Sequence, residues 1–96
     1  MDKEEIMRKL EAQKEQLNTF SVVKIGLFGS YVKGEQRKES DLDFLVAFSD
    51  PTFDNYMDTK FFLEELFGTS VDLVMEGSLK PALQYVKEEA LYAQGF

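Results

Sequence analysis

The sequence contains 96 residues, the length of one small domain, and its 18 acidic and 11 basic side chains give a formal net charge of −7. This charge argues against a nucleic-acid polymer as the main partner, because phosphate backbones would be repelled. The sequence has no cysteine and no histidine, which excludes disulfides, thiolate metal sites and the commonest general base. Catalysis would therefore rest on carboxylates, hydroxyls, lysines or a hard metal ion bound by oxygen.

The sequence shows no signal for export or membrane insertion. Residues 1–20 are charged throughout and lack the apolar core of a signal peptide. The longest apolar runs are far shorter than the roughly 20 residues that cross a bilayer. We therefore expect a cytoplasmic protein in which residues 1–96 form a single domain.

The first half of the sequence predicts one long helix and two strands. In chain order, we expect a helix over residues 2–18, a strand over Val22–Phe28, a short helix or turn over Tyr31–Gly34, a solvated loop over Glu35–Ser40 and a strand over Leu42–Phe48. The long helix is indicated by an apolar stripe at helical spacing, Ile6, Leu10 and Leu17. Both strands are rich in β-branched and aromatic residues and are expected to be largely buried.

The second half predicts a helix, a strand and a final helix. We expect a stop at Ser49–Pro51, a helix over Asn55–Phe67 capped by Asp54, a strand over Ser70–Met75 and a last helix that begins at Ser78. Gly68 stands where a helix-ending glycine belongs, and Pro81 falls in the first turn of the last helix. The apolar stripe of that helix has five members: Leu79, Leu83, Val86, Ala90 and Ala93.

The order of these elements, α-β-α-β-α-β-α, predicts the α/β class, of the α+β type, with one small mixed sheet covered by helices. The directions of neighbouring strands stay open. The connection between the second and third strands contains a helix and could be a parallel crossover, whereas the shorter first connection could join an antiparallel pair.

The residues between the first two strands point to phosphate and metal chemistry. Gly29 follows a buried strand directly, so the backbone can turn sharply there and a ligand can approach closely. Ser30 offers a hydroxyl and free backbone N–H groups, which suit a phosphate. Asp41 and Asp43 enter the second strand at positions i and i+2, which share a face roughly 6.6 Å apart. Two carboxylates on one face can bind hard cations jointly.

Asp72 adds a third carboxylate on the third strand. It stands between apolar residues, where a lone charge would be expensive to bury, and a strand-edge position in water is the alternative. Three acidic groups on one small sheet would repel one another and raise their pKa values. Two Mg²⁺ ions would remove that conflict and could bridge the phosphates of a nucleoside triphosphate.

This pattern resembles the signature of the nucleotidyltransferase superfamily of DNA polymerase beta and kanamycin nucleotidyltransferase: Gly-Ser, a spacer, Asp-x-Asp, and a later Asp. Gly29, Ser30, Asp41, Asp43 and Asp72 match it position by position, and the match covers nearly the whole chain. The sequence is most similar to minimal nucleotidyltransferases, which are stand-alone domains of about this length. The resemblance implies the nucleotidyltransferase fold and Mg²⁺-dependent transfer of AMP from ATP.

The resemblance also implies a role for each matched residue. Gly29 and Ser30 would bind the nucleotide, and Asp41 and Asp43 would bind both metal ions. Asp72 would bind one metal ion and help to deprotonate the acceptor hydroxyl. These roles are those of the family's matching motif positions.

In the family, minimal members pair with a helical HEPN protein encoded beside them, and the pair can act as antitoxin and toxin. The minimal member can adenylylate a tyrosine of its partner. The resemblance therefore implies a HEPN partner here. A binding module that neutralises its partner by contact alone is an alternative, but it would gain nothing from clustered carboxylates. Transfer to a small molecule and homo-oligomer formation also stay open.

Several polar residues of the loop have no assigned role. Lys33 stands where many family members have arginine, and it lacks the bidentate geometry that arginine offers a phosphate. Lys33, Arg37 and Lys38 form a basic island that is either simply solvated or assists ATP binding. Ser40 is most simply a turn residue, and Tyr31 could pack or contact the nucleotide.

Overall fold

The part of the chain that the structure describes, residues 2–29, 32 and 41–96, contains four strands in one mixed sheet. In the computed structural model these strands are β1 (Val22–Phe28), β2 (Leu42–Phe48), β3 (Val71–Met75) and β4 (Leu91–Tyr92). They lie in the order β3-β2-β1-β4. β1 is antiparallel to both β2 and β4, whereas β2 and β3 are parallel. The predicted small mixed sheet is confirmed, and β1 and β2 have the predicted bounds.

A helix links the two parallel strands, as the parallel pairing requires. This helix, α3, spans Phe53–Phe67 and follows α1 (Lys3–Ala12) and α2 (Lys14–Thr19) in the described chain. The predicted cap at Asp54 is wrong, because the side chain of Thr52 accepts the hydrogen bond from the backbone N–H of Asn55 at 3.1 Å. Gly68 ends α3 in the left-handed conformation, φ 67°, as predicted.

The two faces of the sheet have different coverings. Residues that are register partners across neighbouring strands point to the same face. Leu27, Phe44 and Leu73 are partners in this sense, and they pack into the main hydrophobic core. The same core contains buried residues from all three of these helices: Ile6, Leu10, Leu17, Leu63 and Phe67. We call this side of the sheet the core face and the other side the site face.

The N-terminal helix is interrupted, which differs from the single helix predicted over residues 2–18. Gln13 ends α1 with φ −105° and ψ 18°, and its backbone N–H bonds the carbonyl of Leu10 at 3.1 Å. The helical stripe survives this break, because Ile6, Leu10 and Leu17 are all fully buried. The kink therefore changes the path of the chain without changing which residues form the core.

The predicted final helix is wrong. Short 3₁₀ turns at Glu76–Ser78 and Pro81–Leu83 follow β3, and the helix after them, α4, covers only Tyr85–Glu89. Lys80 is extended, with ψ 153°, because a residue before proline is disfavoured in the helical region. A helix beginning at Ser78 would have had to pass through that position.

The end of the chain returns to the sheet instead of remaining helical. Leu91 and Tyr92 pair with Leu27 and Gly26 of β1, and the backbone N–H of Ala93 bonds the carbonyl of Ile25 at 2.9 Å. This pairing satisfies backbone groups at an edge of β1 that would otherwise be free. Among the described residues, no helix is both long enough and apolar enough to cross a membrane.

Candidate active site

The end of β1 lies against a carboxylate of β2. Gly29 follows β1 directly and has φ 78°, a conformation that favours glycine. A side chain at this position would also lack space, since an added Cβ would lie 3.2 Å from Cγ of Asp43 and closer still to Oδ2. A ligand was expected to approach Gly29 closely. In the structure, the side chain of Asp43 approaches it closely.

Asp43 and Asp72 are neighbours in the sheet. They are register partners in the parallel pair β2–β3, and Asp43 is also the partner of Phe28 at the end of β1. Neighbouring strands lie about 4.8 Å apart, so the two carboxylates project side by side on the site face. Asp41 precedes β2 by one residue and is exposed.

Burial of these acids differs from the sequence-based expectation. Asp72 is exposed, since β3 is an edge strand of the described sheet, and the high cost of burying its charge does not arise. Asp43, on the inner strand β2, is partly buried instead. The strand-edge position considered for Asp72 is therefore correct, and it does not separate Asp72 from Asp43.

The pKa of Asp43 is raised above its ordinary value. The largest cause is desolvation by burial, followed by the negative charges of Asp72 and then Asp41. Mutual repulsion among the three carboxylates, which the sequence predicted, thus acts on Asp43. A cation bound at this point would relieve that repulsion.

The carboxylates do not form a ready-made metal cage. Within residues 2–29, 32 and 41–96, no three Asp, Glu, His or Cys side chains are grouped closely enough to hold a metal ion. Mg²⁺ commonly uses one or two carboxylates and completes its shell with water and substrate phosphates. The adjacent pair Asp43 and Asp72, with raised pKa at Asp43, fits that kind of partial site.

The predicted phosphate-binding residue Ser30 lies outside the described residues. The same holds for the other polar loop positions considered above: Tyr31, Lys33, Arg37, Lys38 and Ser40. Gly29 is therefore the nearest described part of the predicted nucleotide-binding loop.

A pocket of about 350 Å³ opens on the site face beside Asp72. Val74 lines it from the sheet, Gly29 lines it from the turn after β1, and Leu79, Leu83 and Val86 line it from the C-terminal segment. Sequence reasoning missed this pocket, because it assigned those last three residues to the core-facing stripe of a helix. The signal available in the sequence was Pro81, which disfavours the helical conformation at Lys80 and therefore a helix that begins at Ser78.

A polar cluster holds the C-terminal segment on the site face. The hydroxyl of Tyr92 donates to Oε2 of Glu76 at 3.2 Å. Lys24 and Lys87 place their Nζ atoms 3.6 and 3.9 Å from the same carboxylate, and Lys24 also lies over the Tyr92 ring. Burial and the adjacent Glu76 raise the pKa of Tyr92 to about 12, so its hydroxyl stays protonated at neutral pH. The ring fits because Gly26 has no side chain beneath it.

The sheet and its paired carboxylates match a known class of enzymes. The family model of the nucleotidyltransferase domain matches residues 6–93. The chain therefore belongs to the nucleotidyltransferase family, as the Gly-Ser and Asp-x-Asp motifs implied.

Individual relatives within this family are similar to the chain over most of its length. The chain is 44% identical over 92 residues to the protein adenylyltransferase MntA of Thermococcus cleftensis, covering 93% of each chain. It is similar to a solved structure described as a proposed minimal nucleotidyltransferase, with a TM-score of 0.81, 39% identity and 95% of each chain covered. It is also similar to a chain in a crystal structure of a toxin–antitoxin with AMP-PNP, with a TM-score of 0.69, 27% identity, and coverage of 90% of this chain and 73% of that one.

Proposed function

We propose that this nucleotidyltransferase transfers AMP from ATP to a tyrosine hydroxyl of a helical HEPN-type toxin and thereby acts as its antitoxin. The observation that carries the proposal is the side-by-side placement of Asp43 and Asp72, with the turn at Gly29 against Asp43. The similarity to a named protein adenylyltransferase over 93% of both chains supports the choice of a protein acceptor. The similarity to a toxin–antitoxin chain with AMP-PNP supports the nucleotide and the kind of partner.

We assign the roles as follows. Gly29 and Ser30 bind the triphosphate, Asp41 and Asp43 bind Mg²⁺, and Asp72 binds Mg²⁺ and faces the acceptor. Mg²⁺, when bound, supplies positive charge that offsets repulsion between the triphosphate and the carboxylates. Without a cation, the acidic pair would repel the nucleotide, because like charges a few ångströms apart interact unfavourably even near a protein surface.

The reaction on this geometry is an in-line displacement. The acceptor oxygen forms a bond to the α-phosphorus of ATP, the bond from that phosphorus to the bridging oxygen breaks, and pyrophosphate leaves. The proton of the acceptor hydroxyl passes to the carboxylate of Asp72, which is exposed and therefore reachable by a hydroxyl of another chain. The product is a phosphodiester between AMP and the acceptor.

The direct test uses this protein, Mg²⁺, ATP and a candidate HEPN-type partner protein. We expect the mass of the partner to rise by one or more AMP units with the wild-type chain. The rise should be absent with the double variant Asp41→Ala, Asp43→Ala. Asp54→Ala, which removes an exposed acid at the start of α3, is the matched control and should act like wild type.

The alternative of neutralisation by contact alone predicts a different result. In that case the double variant would silence the toxin as well as the wild type does, and the partner would gain no mass. This outcome would refute the proposed transfer while leaving the toxin–antitoxin pairing intact.

A further inference from the structure

The pocket beside Asp72 is a mainly apolar space with acids at its edge. Its apolar wall includes Val74, Leu79, Leu83 and Val86, and its acidic members are Asp72 and Glu89. Its volume of about 350 Å³ lies in the range typical of small-ligand sites. Because Asp72 belongs to both the pocket and the carboxylate pair, any group held there lies next to the candidate reaction centre.

The charges of the described lining do not favour the triphosphate as the occupant of the apolar part of the pocket. No lysine or arginine is among the described residues that line it, and its two charged members are acidic. In the absence of Mg²⁺, a polyphosphate placed against Asp72 and Glu89 would be repelled by both carboxylates. The described lining therefore favours an occupant that is neutral, largely apolar, and able to donate a hydrogen bond.

Two neutral rings take part in the proposed reaction, adenine and the phenol of a tyrosine. Adenine has one amino donor but several acceptor nitrogens, so it needs more hydrogen-bond donors than the described side chains of the pocket offer. Tyr85 is the single described lining residue with a neutral side-chain donor, whereas Asp72 and Glu89 only accept when ionised. A phenol needs apolar contact for its ring and one acceptor for its hydroxyl, which is what this pocket provides.

We propose that this pocket receives the ring of the acceptor tyrosine and directs its hydroxyl toward Asp72. This inference rests on the proposed function, since it identifies where the acceptor of that reaction binds. It makes Leu83 and Val86 specificity-determining residues for a tyrosine over a serine, whose short side chain could not fill the apolar wall. The bond-forming step is the one given above, with the phenol oxygen as the attacking atom.

The test compares two leucine truncations of similar exposure. Leu83 is 42% exposed at the pocket, and Leu91 is 38% exposed on β4 with its side chain on the core face. With the HEPN-type protein as acceptor, Leu83→Ala should raise the KM for the acceptor about tenfold and leave the KM for ATP unchanged. Leu91→Ala should change neither constant.

Two results would overturn the inference. A rise in the KM for ATP alone would place the base of the nucleotide in the pocket. Unchanged constants for Leu83→Ala would place both substrates elsewhere. If the wild type transfers no AMP at all, the proposed function fails, and a binding measurement then decides the pocket inference by itself.

That binding measurement is a methyl NMR titration of the wild-type protein. N-acetyl-L-tyrosinamide should shift the methyl signals of Val74, Leu83 and Val86, and N-acetyl-L-serinamide at the same concentration should not. Shifts caused by adenosine and not by the tyrosine amide would contradict the inference. So would shifts that are equally large in the Leu83→Ala variant for the remaining methyl groups.

Discussion

The two faces of the sheet are built from the same strands, but one face packs into the hydrophobic core and the other carries the candidate active site. On the core face, Leu27, Phe44 and Leu73 are register partners and pack with three helices into one apolar cluster. On the site face, one step along the same strands, Phe28, Asp43 and Asp72 are partners. Because side chains alternate between faces, residues of the hydrophobic core and residues of the candidate active site stand next to each other in the sequence. Substitutions on the two faces should therefore have separable effects on unfolding and on AMP transfer.

The largest expected effect on stability lies on the core face. Phe44 is fully buried and stacks on Phe67 with ring centroids 5.7 Å apart. Phe44→Ala should lower the free energy of unfolding by about 3–5 kcal/mol. Asp72→Ala, on the site face and exposed, should change it by no more than about 0.5 kcal/mol. Urea denaturation followed by circular dichroism measures both, and similar losses of stability for the two variants would contradict the division of the sheet into a core face and a site face.

Replacement of Gly29 should reduce both the stability of the fold and AMP transfer. Gly29→Ala should cost about 1–3 kcal/mol through backbone strain at positive φ, and its methyl group should displace the Asp43 carboxylate. AMP transfer should fall with it. Gly68→Ala is the matched control, since Gly68 also has positive φ but has no atom within 4 Å of an added Cβ. If Gly68→Ala lost transfer to the same extent, strain alone would explain the Gly29 result.

Removal of one tyrosine hydroxyl from each face of the sheet should have different effects on stability. Tyr56 packs on the core and donates to the carbonyl of Leu73 at 2.6 Å, whereas Tyr92 on the site face donates to Glu76 at 3.2 Å. Tyr56→Phe should cost about 1 kcal/mol, because the carbonyl loses this donor. Tyr92→Phe should cost less, since Lys24 and Lys87 still lie close to Glu76. Urea midpoints in the reverse order would contradict this ranking.

The smallest expected effect has the opposite sign. Asp43 has a raised pKa in the folded protein, so its ionised form destabilises the metal-free fold at neutral pH. Asp43→Asn should therefore raise the melting temperature of the metal-free protein at pH 7. The gain should shrink as the pH falls through the folded pKa and vanish below the ordinary value of 3.8, where Asp43 is protonated in both states.

The control for that prediction is Asp58→Asn, which removes the same charge from an exposed position of α3. An equal gain in melting temperature from Asp58→Asn would assign the effect to net charge instead of to local repulsion. A gain that is independent of pH would also contradict the account.

Local patterns in the sequence predicted the elements that carry the motif. Val22–Phe28 and Leu42–Phe48 are dense in β-branched and aromatic residues, and the structure has both strands at those bounds. The adjacency of Asp43 and Asp72 was not predictable in the same way. It depends on the order and direction of strands, which α3 and the pairing of β2 with β3 decide through tertiary contacts.

The structure of the C-terminal segment and its pocket could not be predicted from local sequence patterns. The apolar spacing of Leu79, Leu83 and Val86 fits a helix, but Pro81 forces Lys80 into an extended conformation. Leu91 and Tyr92 then gain backbone hydrogen bonds from β1, a long-range effect that overrides the local helical pattern. The segment that departs from the predicted helix lines the pocket, and so the pocket was missed together with that departure.

We expect Asp43 to be required for AMP transfer although its ionised form destabilises the metal-free fold. The mass of the HEPN-type partner after incubation with ATP, Mg²⁺ and either the wild type or Asp43→Asn tests this most directly. We expect added AMP with the wild type and a loss of at least about a thousandfold in rate with Asp43→Asn, since a metal ion supplies several kcal/mol of transition-state stabilisation. Added AMP at the wild-type rate with a folded Asp43→Asn protein would contradict this expectation.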